Sequence, residues 1–136
     1  MNKLQFVKIL NEWLEENNVS PKECHVSHGG SLLLLGIRET TSDIDLTVSN
    51  EIWDRFKDIY EMKHYPACNG HPAVDTLIAN EYIDLHLIRE GDDRCLLEEN
   101  NIQYRSAYVT LEDKLLLNRP KDQGDIELLR KFTAII

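Results

Sequence analysis

His28-Gly29-Gly30-Ser31, followed after a short apolar segment by Thr41-Ser42-Asp43-Ile44-Asp45-Leu46, is the stretch on which the reading of this chain turns. In an extended strand successive side chains face opposite ways, so Asp43 and Asp45 share one face while Ile44, Leu46 and Val48 share the other. The apolar face is suited to a core. The acidic face, set opposite a glycine turn, is suited to a metal-bound polyphosphate.

The same division recurs further along. Val74 to Ile78 and Tyr82 to Ile88 read as a hairpin across Ala79-Asn80-Glu81, with Asp84 and His86 on one face and Leu85 and Leu87 on the other. Upstream, Cys24 to His28 reads as a short strand entering the glycine turn, and Ser31 to Leu35 as a buried helix ending near Gly36. A strand, a glycine turn and a helix start in that order leave backbone N–H groups for phosphate.

The flanking segments are helical in pattern. Phe6, Ile9, Leu10, Trp13 and Leu14 mark an amphipathic helix from Lys3 to about Glu16, closed by Asn17, Asn18 and Pro21. Ser49 or Asn50 caps a second helix with a stripe of Ile52, Phe56, Ile59 and Tyr60. Pro66 to Pro72 reads as loop, and Gln103 to Val109 as a strand or edge segment. Thr110 and Asp113 suggest a capped helix through Leu117. After Pro120 a final helix carries Ile126, Leu128, Leu129 and Phe132. The expectation is an α/β (α+β) fold, a small mixed sheet with flanking helices, in a single domain over 1–136 whose portion 110–136 is helical.

A length of 136 residues at 42% hydrophobic composition supports one core. With 24 acidic against 15 basic residues the formal charge is -9, which disfavours nonspecific nucleic-acid binding. It does not oppose a nucleotide carried with its metal, because a cation bridges carboxylates and phosphates of like sign. Cys24, Cys68 and Cys95 are odd in number and widely spaced, and no membrane-length apolar segment is present, so a reducing cytoplasm is expected. His25, His64 and His71 show no metal-ligand spacing, and Trp13 and Trp53 belong to helices where a core role is the stronger expectation.

HGGSLLLLGIRETTSDIDLTV, together with the later YIDLH, resembles the catalytic core of the nucleotidyltransferase superfamily, the DNA polymerase beta-like minimal nucleotidyltransferase fold. The double glycine and the Gly-x-Arg-x-Thr-x-Ser-Asp-x-Asp form look closest to small bacterial proteins of abortive-infection and toxin-antitoxin systems and to some antibiotic nucleotidyltransferases. TLEDKLLLNRPKDQGDIELL is similar to the helical tail of that group. The interval from Ser31 to Asp43 is one residue longer than in the commonest minimal antitoxin form.

The resemblance implies that Asp43, Asp45 and Asp84 are catalytic and hold a pair of magnesium ions, with Asp84 helping to deprotonate the acceptor. It also implies that Gly29, Gly30 and Ser31 meet the nucleotide phosphates, with Arg38 and Lys121 as further contacts. Each supporting residue keeps a second reading: Ser31 as a helix cap, Arg38 in a salt bridge with Glu39 or Asp43, and Lys121 as part of a charged helix start. His86 either orients an acceptor or joins the metal shell, or is an ordinary polar strand residue, and His28 reads as structural. The implied activity is transfer of a nucleoside monophosphate from a nucleoside triphosphate, ATP being the leading candidate, to a hydroxyl of a protein or small molecule. With little room for an acceptor-binding domain, a protein partner or a homodimer is expected to help grip it. The alternative is a catalytically inactive nucleotide-sensing or antitoxin-like protein-binding module, and a metal-dependent nuclease ranks third.

Overall fold

In the computed structural model, which describes residues 1–134, a seven-stranded mixed sheet is flanked by helices. In chain order the elements are α1 (Lys3–Glu16), β1 (Cys24–Ser27), α2 (Gly29–Leu34), β2 (Ile44–Val48), α3 (Asn50–Phe56), β3 (Glu61–Tyr65), β4 (Val74–Ile78), β5 (Ile83–Leu87), β6 (Leu96–Glu99), β7 (Ile102–Arg105), α4 (Ala107–Leu117) and α5 (Gln123–Ala134). The strand order is β3-β4-β5-β2-β1-β7-β6, which puts β2 at the centre. β2 runs parallel to β5 and antiparallel to β1, while β1 runs parallel to β7.

Local chemistry explains where the helices start and stop. Asn2 caps α1 in a reciprocal box, its side chain accepting from Gln5 N at 2.9 Å while Gln5 Oε1 accepts from Asn2 N at 2.9 Å. α2 ends because Gly36 adopts a positive φ of 80°, which lets Ile37 N reach Leu32 O and Gly36 N reach Leu33 O. Ser49 caps α3 through Ile52 N, and Ser106 caps α4 through Val109 N. The expected cap at Thr110 is therefore corrected: Thr110 lies inside α4, its hydroxyl bonded to Ser106 O, and the strand before it stops at Arg105.

The core lies on one face of the sheet. Phe6, Leu10 and Trp13 of α1 and Ile52 and Phe56 of α3 cluster with Val26, Leu46, Val48, Leu77, Ile83 and Leu85. Most of these side chains are almost wholly withdrawn from water, each worth about 1.5–3 kcal/mol of transfer free energy. Trp13 and Trp53 are both core residues, as expected. Two stripe residues are not: Ile59 is 70% exposed just past the end of α3, and Leu128 is 42% exposed on the outer side of α5. A smaller cluster of Leu32, Ala107 and Leu129 joins α2, α4 and α5.

Register makes the opposite face polar. Ser27, Asp45 and Asp84 form one row across β1, β2 and β5, and His25, Thr47, His86 and Thr76 form the next across β1, β2, β5 and β4. Two strands escaped the sequence reading, β3 and β6, which form the two edges of the sheet. No helix among the described residues is long and apolar enough to cross a membrane. All three cysteines are free, Cys24 buried, Cys68 half-buried and Cys95 exposed.

Candidate functional site

Asp45, Asp84, Thr47, His86 and Thr76 of the polar rows line a cleft of about 890 Å³, bounded on its other sides by the α2 turn, the loop between β3 and β4, and the segment from α4 into α5. Asp45 and Asp84 face into it as direct partners on the parallel strands β2 and β5, and Asp43 immediately precedes β2 at the same end. Register thus sets Asp45 directly beside Asp84, far apart in sequence, whereas Asp43 lies outside the paired strand and lines the same cleft. Their proximity has an electrostatic signature. Burial raises the Asp84 carboxyl above its ordinary value, and the charges of Asp45 and Asp43 raise it further.

Asp45 behaves oppositely. Burial alone would raise it, but a hydrogen bond from His86 and the nearby His28 and Lys114 bring it below the usual carboxylate range. His86 Nε2 lies 3.0 Å from Asp45 Oδ1 and its Nδ1 lies 3.1 Å from Thr76 Oγ1. A carboxylate only accepts, so the proton sits on Nε2 and Thr76 donates to Nδ1 in the neutral ring. Thr76 and His86 together orient the Asp45 carboxylate. Asp43 is exposed and accepts from Ser42 Oγ at 3.3 Å.

Among the described residues no three His, Cys, Asp or Glu side chains stand in a chelating cluster. The donor chemistry nonetheless fits magnesium. That ion keeps several waters and binds through one or two carboxylates plus substrate phosphates, so a preformed protein cage is not what it requires.

The glycine turn divides into two jobs. Gly29 lines the cleft, and a Cβ there would stand 2.8 Å from Arg38 Nη1 and 3.1 Å from Thr41 Oγ1, so the Arg38 guanidinium lies against the turn. Gly30 instead faces the core, where a Cβ would fall 2.6 Å from Val26 Cγ1 and 2.7 Å from Phe6 Cζ. Ser31 is fully buried and donates to Val26 O at 3.0 Å, so its side chain ties α2 to β1 and does not cap the helix. His28, which read as structural, lines the cleft at φ 55° and ψ -133°, a backbone region that costs a non-glycine residue about 1–3 kcal/mol. Its ring stands edge-on to His86, with centroids 5.9 Å apart, and burial lowers its pKa.

Positive charge enters from the α4–α5 side. Arg38 pairs with Asp125 at 3.0 Å, correcting the expected partners Glu39 and Asp43. Lys114, which the sequence reading missed, is 7% exposed and lies 3.4 Å from Asp122 and 3.2 Å from Asp125. Arg119 grips Asp122 at 2.8 Å, and that contact follows the burial that would otherwise raise the carboxyl, holding it at about 2. Lys121 is exposed at the cleft and makes no ion pair among the described residues. Arg105, also missed, is 3% exposed and donates to His25 Nε2 at 3.2 Å and to Thr47 Oγ1 at 3.3 Å while pairing with Asp113.

Both omissions had a signal in the sequence. Lys114 occupies the inward stripe Ala107, Thr110, Lys114, Leu117, and alternation with the core residue Tyr104 turns Arg105 to the polar face beside His25 and Thr47. A charged residue at an inward position calls for a buried counter-charge, and Asp122, Asp125 and Asp113 supply it. No protein-family model matches the chain, and no match to it was found among curated proteins.

Proposed function

We propose that this chain is a magnesium-dependent nucleotidyltransferase of the minimal nucleotidyltransferase fold, moving a nucleoside monophosphate from a nucleoside triphosphate, ATP foremost, to a hydroxyl of a protein or small molecule. The observation that carries this reading is the pairing of Asp45 with Asp84 across parallel strands, with Asp43 at the same end of a large cleft and cations on its other wall. Asp43, Asp45 and Asp84 would hold the magnesium, whose contribution is to neutralise charge on the triphosphate.

The chain's own groups account for the rest. Asp84 takes the proton of the acceptor hydroxyl, whose oxygen attacks the α phosphorus as the bond to the β-phosphate oxygen breaks and pyrophosphate leaves. Lys121 and the Arg38 guanidinium over Gly29 meet the phosphates. His86 keeps Asp45 ionised and oriented through its 3.0 Å contact. The overall acidity of the chain, -9, fits a protein or small cationic acceptor better than nucleic acid. Such a reaction belongs in the cytoplasm, where the three unpaired cysteines stay reduced.

A second reading draws on one feature. Arg38, Lys114 and Arg119 are already satisfied by Asp122 and Asp125, so the cleft has less free positive charge than its composition suggests. A nucleotide-sensing or antitoxin-like module that binds without turnover, completed by a partner protein or a second copy, would have that character. Release of pyrophosphate from ATP with magnesium and candidate acceptors separates the two. Transfer that disappears in Asp43→Asn supports the enzyme, and transfer at the parent rate in that variant removes it.

A further inference from the structure

We propose that Asp125 is a built-in competitor for the triphosphate: it holds the Arg38 guanidinium in the resting cleft, and an incoming phosphate takes its place there. The proposal rests on the nucleotide reading above. Arg38 belongs to the loop between α2 and β2 and lines the cleft, with Nη1 2.8 Å from where a Cβ on Gly29 would stand. Its side chain is 37% exposed, so a ligand in the cleft reaches it. Nη2 lies 3.0 Å from Asp125 Oδ2, the one ion pair that Arg38 makes among the described residues.

The two partners depend on this contact unequally. Asp125 is buried in the first turn of α5 and also pairs with Lys114 at 3.2 Å. Lys114, itself buried, reaches Asp122 at 3.4 Å, and Arg119 grips Asp122 at 2.8 Å. When Arg38 turns away, Lys114 and Arg119 still balance Asp122 and Asp125, and the N-terminal end of α5 favours the Asp125 carboxylate. No buried charge is stranded, which is the large cost of breaking most buried pairs. The wall therefore keeps its structure while its exposed member changes partner.

The exchange also favours the ligand. A planar guanidinium matches a phosphate through two parallel N–H donors, whereas a single nitrogen, Nη2, meets Asp125. A phosphate sharing this guanidinium with Asp125 would stand close to a carboxylate of like sign, and that repulsion weakens binding. Asp125 thus acts on the phosphate through Arg38 and holds nucleotide affinity below what the cations of the cleft would give alone.

The test is calorimetric titration of ATP with magnesium into the parent chain, Asp125→Asn, Arg38→Gln and the double variant, each checked for folding. Asp125→Asn is expected to bind about tenfold more tightly than the parent, the scale of removing one like charge from beside a phosphate site. In the Arg38→Gln background the same change should give little gain, because the competition runs through Arg38. An Asp125 that served only the frame would, when replaced, weaken binding. No gain from Asp125→Asn, or an equal gain in both backgrounds, overturns the competitor while leaving the nucleotide reading in place. Should Asp125→Asn not fold, the parent decides: its Arg38 side-chain N–H resonances should shift when ATP and magnesium are added, and unchanged resonances overturn the proposal. Failure of all four common nucleoside triphosphates to bind the folded parent overturns both.

Discussion

Replacing His25 by Gln should change how stability depends on pH, and the size of the change follows from the structure. His25 is 3% exposed, and its Nε2 accepts from Arg105 Nε at 3.2 Å, so the ring must stay neutral there. Burial lowers its pKa and the Arg105 charge lowers it further, to about 4 from the ordinary 6.5. As pH falls below 6.5 the unfolded chain takes up a proton that the folded chain refuses until about 4. Stability is therefore lost on acidification across that window, by about 2 kcal/mol at pH 5 and about 3 kcal/mol once both states are protonated. Gln places an acceptor oxygen near the Nε2 position and does not titrate, so His25→Gln should keep the Arg105 contact and lose this component. Urea unfolding at pH 7, 6, 5 and 4.5 on both chains reads the difference, and carboxylate titrations common to both cancel. Parallel stability–pH curves for the two chains would refute the reasoning.

Gly30→Ala should destabilise the fold by about 1–3 kcal/mol in denaturant titration, because its Cβ would be driven into Val26 and Phe6 on the core side. The Asp122 carboxyl, 1% exposed and held at about 2, contributes about 2 kcal/mol above its ordinary value of 3.8, and this is lost as pH falls through about 2. The stability gap between the parent and Asp122→Asn, followed by thermal unfolding, should accordingly narrow between pH 4 and pH 2. Lys121→Ala should leave the unfolding midpoint unchanged and weaken nucleotide binding several-fold in a titration, since the side chain borders the cleft and supports no ion pair among the described residues.

How much of this was legible in the sequence depended on whether side-chain pattern and burial coincide. In β2 and β5 apolar and polar residues alternate, so the faces of Asp45 and Asp84 could be read before their register was known. β3 could not be read, because all five of its residues are exposed at a sheet edge and no alternation in burial marks it. The start of α4 was misplaced because Ser106 and Thr110 are both competent caps, and only the packing of Ala107 and Val109 decides between them. For the site, the glycine turn was found, but its division into a cleft-facing Gly29 and a core-facing Gly30 depends on Phe6, far off in sequence. The buried Lys114 and Arg105 required knowing which carboxylates tertiary structure brings to them.

In the function proposed above, Asp43 and Asp45 hold a magnesium–nucleotide complex in the cleft. Calorimetric titration of the four nucleoside triphosphates, with and without magnesium, into the parent chain and a folded Asp43→Asn/Asp45→Asn variant tests it most directly. At least one triphosphate should bind the parent only with magnesium, and that binding should be lost in the variant. Equal binding by both, or none by the folded parent, would contradict it.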